Sequence, residues 1–486
     1  MRLSELMNGN GATPEVDILG LSADSREVKP GYLFAALSGS LEDGADFIDD
    51  AIRHGAVAVL AQPEVASRCT QNAVRRDVQV VPDFNPRRRL AQMAARFYPA
   101  QPETVVAVTG TNGKTSVVSF ARQIWEHLGY RAASLGTAGI TGSHLDVRLS
   151  HTTPEPIELH RLIDSMATDG VDHLAIEASS HGLDQYRLDG VRVTAAAFTN
   201  LTRDHLDYHR NADSYLYAKL RLFGEVMAPG GIAVLNADDP AYLDFEDICW
   251  ARGHQIVSVG AKGSDLQLVK RAPGDDFQQL AIVWRGTRYA VKLPLIGDFQ
   301  VSNALVAAAL VLSNGADTAQ VFEHLAGPPG RMELVARRVS GARVFVDYAH
   351  TPDALDRLLR ALRPFASGEL SVIFGCGGDR DIGKRPQMGR IASELADWVI
   401  ITDDNPRNEE PQNIRRQISA AAPGAIDISD RSQAIRVGVS RLSTGDILVV
   451  AGKGHESGQI VHGVFNPFDD AQEVRDAIVE LEENIK

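Results

Sequence analysis

The chain is poor in cysteine, in long apolar runs and in net positive charge, and each shortage closes off a class of protein. Only Cys69, Cys249 and Cys376 are cysteines among 486 residues, and none stands in CxxC spacing. That excludes a disulfide framework and a cysteine-held zinc site, and a reducing compartment is expected. No window approaches about eighteen uninterrupted apolar residues, so no membrane-spanning helix is expected. The opening MRLSELMNGN lacks the apolar core of a signal peptide, which makes the cytoplasm the expected location. Lys and Arg number 49 against 63 Asp and Glu, a net charge of −14. Bulk attraction to nucleic acid or to an anionic membrane is therefore not expected. A polyphosphate ligand would have to be met by locally concentrated positive charge.

What is present describes an ordinary globular protein, 44% hydrophobic and 23% charged. The length exceeds one core and points to about three domains. Residues 105–116 read VVAVTGTNGKTS. A β-branched run stops at Gly110, a turn holds Thr111, Asn112 and Gly113, and Lys114, Thr115 and Ser116 open a helix-compatible run. Strand, tight turn and helix N-terminus form a phosphate cradle from backbone N–H groups and the helix dipole. Lys114 would reach the outer phosphates and the Thr115 hydroxyl a Mg²⁺ ion. The general P-loop wants glycine five residues before Gly113, where Val108 stands. This is a compact variant. An ordinary turn between strand and helix has no need of the Lys-Thr pair.

Strand and helix signals alternate through the rest of the chain, which argues for mainly parallel sheets. Residues 1–98 carry short strand candidates at 57–60 and 78–81 and helices at 47–54 and 88–97. Residues 98–102, YPAQP, read as a linker. A central domain over 99–331 holds the phosphate loop and ends in an antiparallel insertion at about 265–295, followed by a helix at about 302–313. GPPGR at 327–331 marks the next boundary. Residues 332–486 read as a separate doubly wound α/β domain. The expected class is thus α/β in three domains: a small N-terminal α/β domain, a central mainly parallel P-loop-type ATPase and a C-terminal Rossmann-like domain.

Charged groups recur at strand ends, where parallel sheets bind ligands. Glu177, in LAIEASSHGL, suits a Mg²⁺ ligand beside Thr115; a solvated strand-end carboxylate is the plain alternative. Residues 199–209, TNLTRDHLDYH, place His205 and His209 four apart, yet no HExxH glutamate and no third ligand accompany them. A Mg²⁺ or phosphate role for His205 fits better than zinc. Lys219, read alone, is a surface helix lysine. In the third domain, loops at 347–353, 375–381 and 403–407 carry Arg380 and Arg407 beside Asp404 and Asn405. Arginines suit bidentate carboxylate binding, and Asp or Asn accepts from an ammonium, so an amino-acid zwitterion would fit. Loop charges held by one another in salt bridges remain the alternative. GxGxxG would need glycine where Arg380 stands, which argues against a dinucleotide.

These pieces, in this order, resemble the Mur ligase family over nearly the whole length, and within it the branch that adds diaminopimelate. The resemblance rests on Asp24-Ser-Arg, TGTNGKTS, Thr152-Thr153, EASSHG at 177–182, DHLDYH at 204–209, Lys219, GRME at 330–333, DYAHTP at 347–352, GCGGDR at 375–380, DNPR at 404–407 and GKGHE at 452–456. It implies a UDP-sugar domain, an ATPase and an amino-acid domain. Ser25, Thr152, Thr153, Ser179, Gln185 and Arg187 match positions that contact UDP-MurNAc-L-Ala-D-Glu. Asn303, Arg331 and Asp347 match positions near ATP. Lys219 matches a lysine that is carbamylated, which converts a cation into an oxygen ligand for Mg²⁺. Arg380, Asp404, Asn405, Pro406, Arg407, Gly452 and Glu456 match positions that grip meso-diaminopimelate. Relatives carry Asn where Gln300 stands, and the uridine-side loop at 39–44 lacks a familiar polar triplet. The implied activity is ATP-dependent amide formation through an acyl phosphate, with small-molecule substrates, ATP and Mg²⁺, in a monomer. A lysine-adding relative and a folylpolyglutamate-synthase-like ligase are the alternatives.

Overall fold

The computed structural model describes residues 1–7, 16–39, 42–74, 77–142, 145–147, 149, 151–202, 204, 208–274, 277–312 and 320–483. The chain divides into two compact units. One comprises Met1–Ser264 with Ala309–Ala316, the other Asp265–Ala308 with Asp317–Lys486.

The first unit opens with a four-stranded sheet, Gly20–Ser22, Tyr32–Ala35, Ala58–Ala61 and Gln79–Pro82, parallel throughout and in sequence order. Its faces are filled by Leu33, Ala35, Leu60 and Leu90 on one side and Phe34, Val59 and Ile52 on the other. Strand side chains alternate between faces, which is why neighbours 33 and 34 serve opposite cores.

A second sheet follows in the order Gln255–Gly260, Ile232–Asn236, Ala195–Phe198, Thr104–Thr109, His173–Glu177, Ala132–Gly136, Gly139–Gly142 and Leu145–Val147. It is parallel as far as Ala132–Gly136 and antiparallel beyond. Val105, Val106, Ala107 and Val108 are fully buried, as an apolar run covered on both faces requires. The helix Lys114–His127 lies against Ala132–Gly136 and His173–Glu177. It buries Val117, Phe120, Ala121 and Ile124, the spacing of one helical face. Thr104–Thr109 is central, so its C-terminal end opens into the crevice where such sheets bind ligands.

The second unit begins with the antiparallel strands Leu266–Pro273, Gln278–Trp284 and Thr287–Leu293. Alternating burial along Gln278–Trp284 is the pattern of a sheet with one wet face. The helix Asp298–Leu312 starts in this unit, four residues ahead of the sequence expectation. A six-stranded sheet follows in the order Glu333–Arg337, Arg343–Asp347, Ile447–Ala451, Leu370–Phe374, Trp398–Ile401 and Ile426–Asp427. Only its first pair is antiparallel. Arg343–Asp347, Ile447–Ala451, Leu370–Phe374 and Trp398–Ile401 run parallel, so the loops after 347, 374, 401 and 451 leave the same end of the sheet. Among the described residues no helix is long and apolar enough to cross a membrane.

Candidate functional site

The phosphate-type loop is built as its sequence demands. Gly110 and Gly113 hold φ of +148° and +88°, values that side chains rarely tolerate. Gly113 is the N-cap of Lys114–His127. A Cβ at Gly110 would overlap the Thr199 hydroxyl and lie 3.1 Å from the Asn200 nitrogen. The neighbouring strand's end thus presses directly on the loop. Thr199 Oγ1 donates to the Asn112 carbonyl at 2.6 Å, and Asn200 closes a reciprocal pair with Asn112, its amide donating at 3.0 Å and its oxygen accepting at 3.0 Å. Thr111 Oγ1 accepts from the Thr202 amide at 2.9 Å and lies 3.1 Å from the Tyr215 hydroxyl. Lys114 Nζ folds back to the carbonyls of Gly110 and Thr111, both at 2.9 Å, and Thr115 and Ser116 are buried in the first helical turn.

Lys219 belongs to this loop rather than to the surface. It is 1% exposed, donates to the Gly110 carbonyl at 2.8 Å and sits 4.3 Å from the centre of the Tyr215 ring. Burial, and then repulsion from Lys114, push its pKa well below the ordinary lysine value, with Asp204 opposing. Burial thus favours the neutral amine, the form that can act as a nucleophile.

Glu177 closes the strand His173–Glu177 and is fully buried. A Cβ at Gly136 would overlap its carboxylate, so the glycine leaves the room that the acid fills. Thr137 donates to it from both backbone and side chain, at 2.8 and 3.2 Å, and the Thr137 hydroxyl lies 3.0 Å from that of Thr152. Thr153 Oγ1 donates to the Glu177 carbonyl at 2.8 Å and lies 3.0 Å from Ser179 Oγ, which caps the next helix by accepting from the Gly182 amide. Arg187 donates to the Thr153 carbonyl at 2.6 Å and to Gln185 Oε1 at 2.7 Å, and pairs with Glu155 at 2.6 Å. Thr152, Thr153, Ser179, Gln185 and Arg187 therefore form one continuous network with Glu177. Ser25 lies apart, buried at the start of a single 3-10 turn, its carbonyl 2.9 Å from His54 Nδ1.

In the second unit, Asp347 ends its strand buried and accepts from the Met332 and Ala349 amides at 2.6 and 2.8 Å. Burial pushes its carboxyl up in pKa, opposed by nearby Arg331 and those two donors. The Arg331 guanidinium stacks 4.4 Å from the Tyr348 ring centre. Gln300 connects the set: it accepts from Asn303 at 3.2 Å and donates to the Arg331 carbonyl at 3.4 Å. The unexpected Gln is thus the buried joint between Asn303 and Arg331.

The remaining strand-end loops form a second cluster. Asn405 donates to Glu456 Oε2 at 2.8 Å and accepts from the Ile460 amide at 3.0 Å. Arg407, at φ +51°, donates to the Gly378 carbonyl at 2.8 Å, which bridges the loops of the two arginines. A Cβ at Gly452, φ +115°, would lie 3.0 Å from Asp404 Oδ2. Pro406 is buried and Arg380 exposed. The charges of Glu456, Arg331, Asp404 and Arg380 all act on the Tyr348 hydroxyl, whose pKa burial pushes up, so these groups converge around it.

His205, with Arg203, Leu206 and Asp207, lies outside the described residues, as do Ser40 and Leu41 of the uridine-side loop. Among the described residues no three His, Cys, Asp or Glu side chains gather as a metal site. Sequence reasoning overlooked Thr137, Asn200, Tyr215 and Lys453. Thr137 and Asn200 each lie just past the end of a strand, the position that singled out Glu177, and this signal could have found them.

Three family models match: the Mur ligase family catalytic domain at 17–98, the Mur ligase middle domain at 108–311 and the Mur ligase glutamate ligase domain at 330–454. A relative from Bradyrhizobium diazoefficiens, named UDP-N-acetylmuramoyl-L-alanyl-D-glutamate–2,6-diaminopimelate ligase, is 52% identical over 98% of this chain and 99% of its own. A solved structure described by the same name superposes with a TM-score of 0.74 at 31% identity, covering 99% of both chains. The MurF ligase of Thermotoga maritima, solved with ADP, shares the fold at a TM-score of 0.62 and 18% identity over 97% of this chain and 99% of its own. The chain belongs to the Mur ligase family, with its three-domain α/β architecture.

Proposed function

We propose that the chain is an ATP-dependent ligase that adds meso-2,6-diaminopimelate to UDP-MurNAc-L-Ala-D-Glu in peptidoglycan precursor synthesis. It acts on small molecules alone, as a cytoplasmic monomer. The observation that carries the reading is the strand-end cluster in which Asn405 binds Glu456 while Arg407 reaches the loop of Arg380. The loops gather carboxylates and guanidiniums, the complement of an ammonium and carboxylate on one carbon. Lysine lacks the second carboxylate and would leave the arginines without a partner, a strong ground for rejection. Relatives at 45 to 52% identity that carry the diaminopimelate-adding name support the same branch.

The chemistry follows from a carboxylate being a poor acyl donor. The D-Glu γ-carboxylate attacks the γ-phosphorus of ATP, ADP leaves, and an acyl phosphate forms. The diaminopimelate amine attacks that carbonyl, loses a proton, and the tetrahedral intermediate expels inorganic phosphate. Two anions meet in the first step. Lys114 and the loop amides offset that repulsion, and His205 adds charge or a proton there. Thr152, Thr153, Ser179, Gln185 and Arg187 hold the dipeptide, Ser25 the UDP-sugar, and Asn303, Arg331 and Asp347 the nucleotide.

The donor set suits Mg²⁺. Glu177 is a buried carboxylate in a glycine-lined cradle, and Thr115 offers a hydroxyl. Lys219, unmodified, would repel the ion. In the neutral form that burial favours, its amine can take up CO₂, forming an N–C bond and releasing a proton, to give a carbamate oxygen donor. Bound there, Mg²⁺ would withdraw charge from the phosphate oxygens.

The test is incubation of purified protein with ATP, Mg²⁺, the UDP-MurNAc-dipeptide and either diaminopimelate or lysine. Amide product with diaminopimelate alone is expected. Product with lysine alone would overturn the specificity, and ATP turnover without amide from either would overturn the ligase reading.

A further inference from the structure

Lys453 follows the strand Ile447–Ala451, and its side chain is fully buried. Its ammonium lies 3.0 Å from Glu456 Oε2, 3.4 Å from Asn405 Oδ1 and 3.9 Å from Asp404 Oδ1. A buried ammonium is unfavourable unless it is paired, so this placement requires the acidic groups. The converse matters for function. Glu456 keeps about a third of its side chain exposed (36%), and the oxygen bound by Lys453 is also the one bound by Asn405. That leaves the other oxygen for a ligand.

The charges can be counted. Asp404 and Glu456 contribute two negatives, and Lys453 cancels one. Arg431 also acts on both carboxylates, but it is held bidentately by Asp470 at 2.6 and 2.7 Å, so its charge is already met. Among Asp404, Glu456 and Lys453 one negative charge remains, matching one ligand ammonium, while Arg380 and Arg407 are left for a ligand carboxylate. We propose that Lys453 is the positioning residue that fixes Glu456 and trims the charge of this pocket to accept a single ammonium of the diamino acid. This rests on the diaminopimelate-adding reading.

The test is a double-mutant cycle on the full-length enzyme with Lys453→Gln and Glu456→Gln, reading KM for diaminopimelate and for ATP. Lys453→Gln is expected to raise the diaminopimelate KM at least tenfold and to leave the ATP KM within twofold. Placed on Glu456→Gln, the same change should alter the diaminopimelate KM less than threefold, because Lys453 acts through Glu456. Equal factors in both backgrounds, or an equal rise in the ATP KM, would overturn the proposal. If Lys453→Gln does not fold, the double variant is compared with Glu456→Gln alone. A matching KM supports the proposal. A further tenfold rise, or failure of the double variant to fold, overturns it. If the wild type itself forms no amide with diaminopimelate, the underlying reading has failed rather than the role of Lys453.

Discussion

Thr137 gives Glu177 two hydrogen bonds at once, its amide at 2.8 Å to one carboxylate oxygen and its hydroxyl at 3.2 Å to the other. The pair lies 40 residues apart in sequence and joins the ends of adjacent parallel strands. The carboxylate is therefore oriented before any ligand arrives.

Thr137→Val keeps the amide bond and removes the hydroxyl. A hydrogen bond to a charged group is worth about 1.5–3 kcal/mol, so roughly tenfold or more should be lost. The loss is expected in the Mg²⁺ concentration for half-maximal rate, read by titrating Mg²⁺ at saturating ATP. An unchanged Mg²⁺ requirement would separate Glu177 from the metal.

Gly110→Ala tests how tightly the phosphate-type loop is braced. Its Cβ would displace the Thr199 hydroxyl, which holds the Asn112 carbonyl. Forcing a side chain into φ +148° costs about 1–3 kcal/mol locally. The expected result is an ATP KM raised at least tenfold with a melting temperature lowered by only a few degrees. Steady-state kinetics and a thermal melt on one preparation decide it.

His160 gives the fold a pH dependence. It is 1% exposed, its Nε2 lies 3.1 Å from the Asp189 carbonyl, and burial drops its pKa to about 4. The unfolded chain, with histidine near 6.5, binds this proton first as pH falls. Stability is full above about pH 6.5 and declines towards pH 4, by about 3 kcal/mol in all. Denaturant melts at pH 7 and pH 4.5 should show a steeper loss in the wild type than in His160→Phe. Parallel losses in the two proteins would remove His160 as the source.

The sequence revealed what is local and concealed what depends on strand order. The phosphate-type loop was legible because strand, glycine turn and Lys-Thr fall within one short run. The antiparallel insertion is legible as three short strand-like runs close together between 265 and 295, whereas the alternation of buried and wet positions along Gln278–Trp284 shows only in the structure. Gly20–Ser22 and Tyr32–Ala35 lack the β-branched residues that make 57–60 and 78–81 legible as strands. Lys219 read alone as a surface residue, because nothing nearby in sequence announces that its helix turns this face onto Gly110. Thr137 carries a strand-end signal in the sequence, but its partner Glu177, like the Asn405 partner of Lys453, is known only once strands distant in sequence are laid side by side.

The buried pair of Arg431 and Asp470 supplies the last prediction. Both side chains are fully buried, and each stands at the first turn of its helix, Arg431–Arg441 and Asp470–Glu483. Arg431 also donates to the Ala451 carbonyl at 3.0 Å, at the strand end that leads into Gly452 and Lys453. Asp470→Asn leaves a buried guanidinium without its countercharge and should cost about 3–5 kcal/mol. Replacing both, as Arg431→Met with Asp470→Leu, removes the charge with its partner and should cost less than the single change. Because the double variant still loses the bond to Ala451, its diaminopimelate KM should rise although its melting temperature recovers. Equal melting temperatures for single and double variants would show that the uncompensated charge is not what destabilises Asp470→Asn.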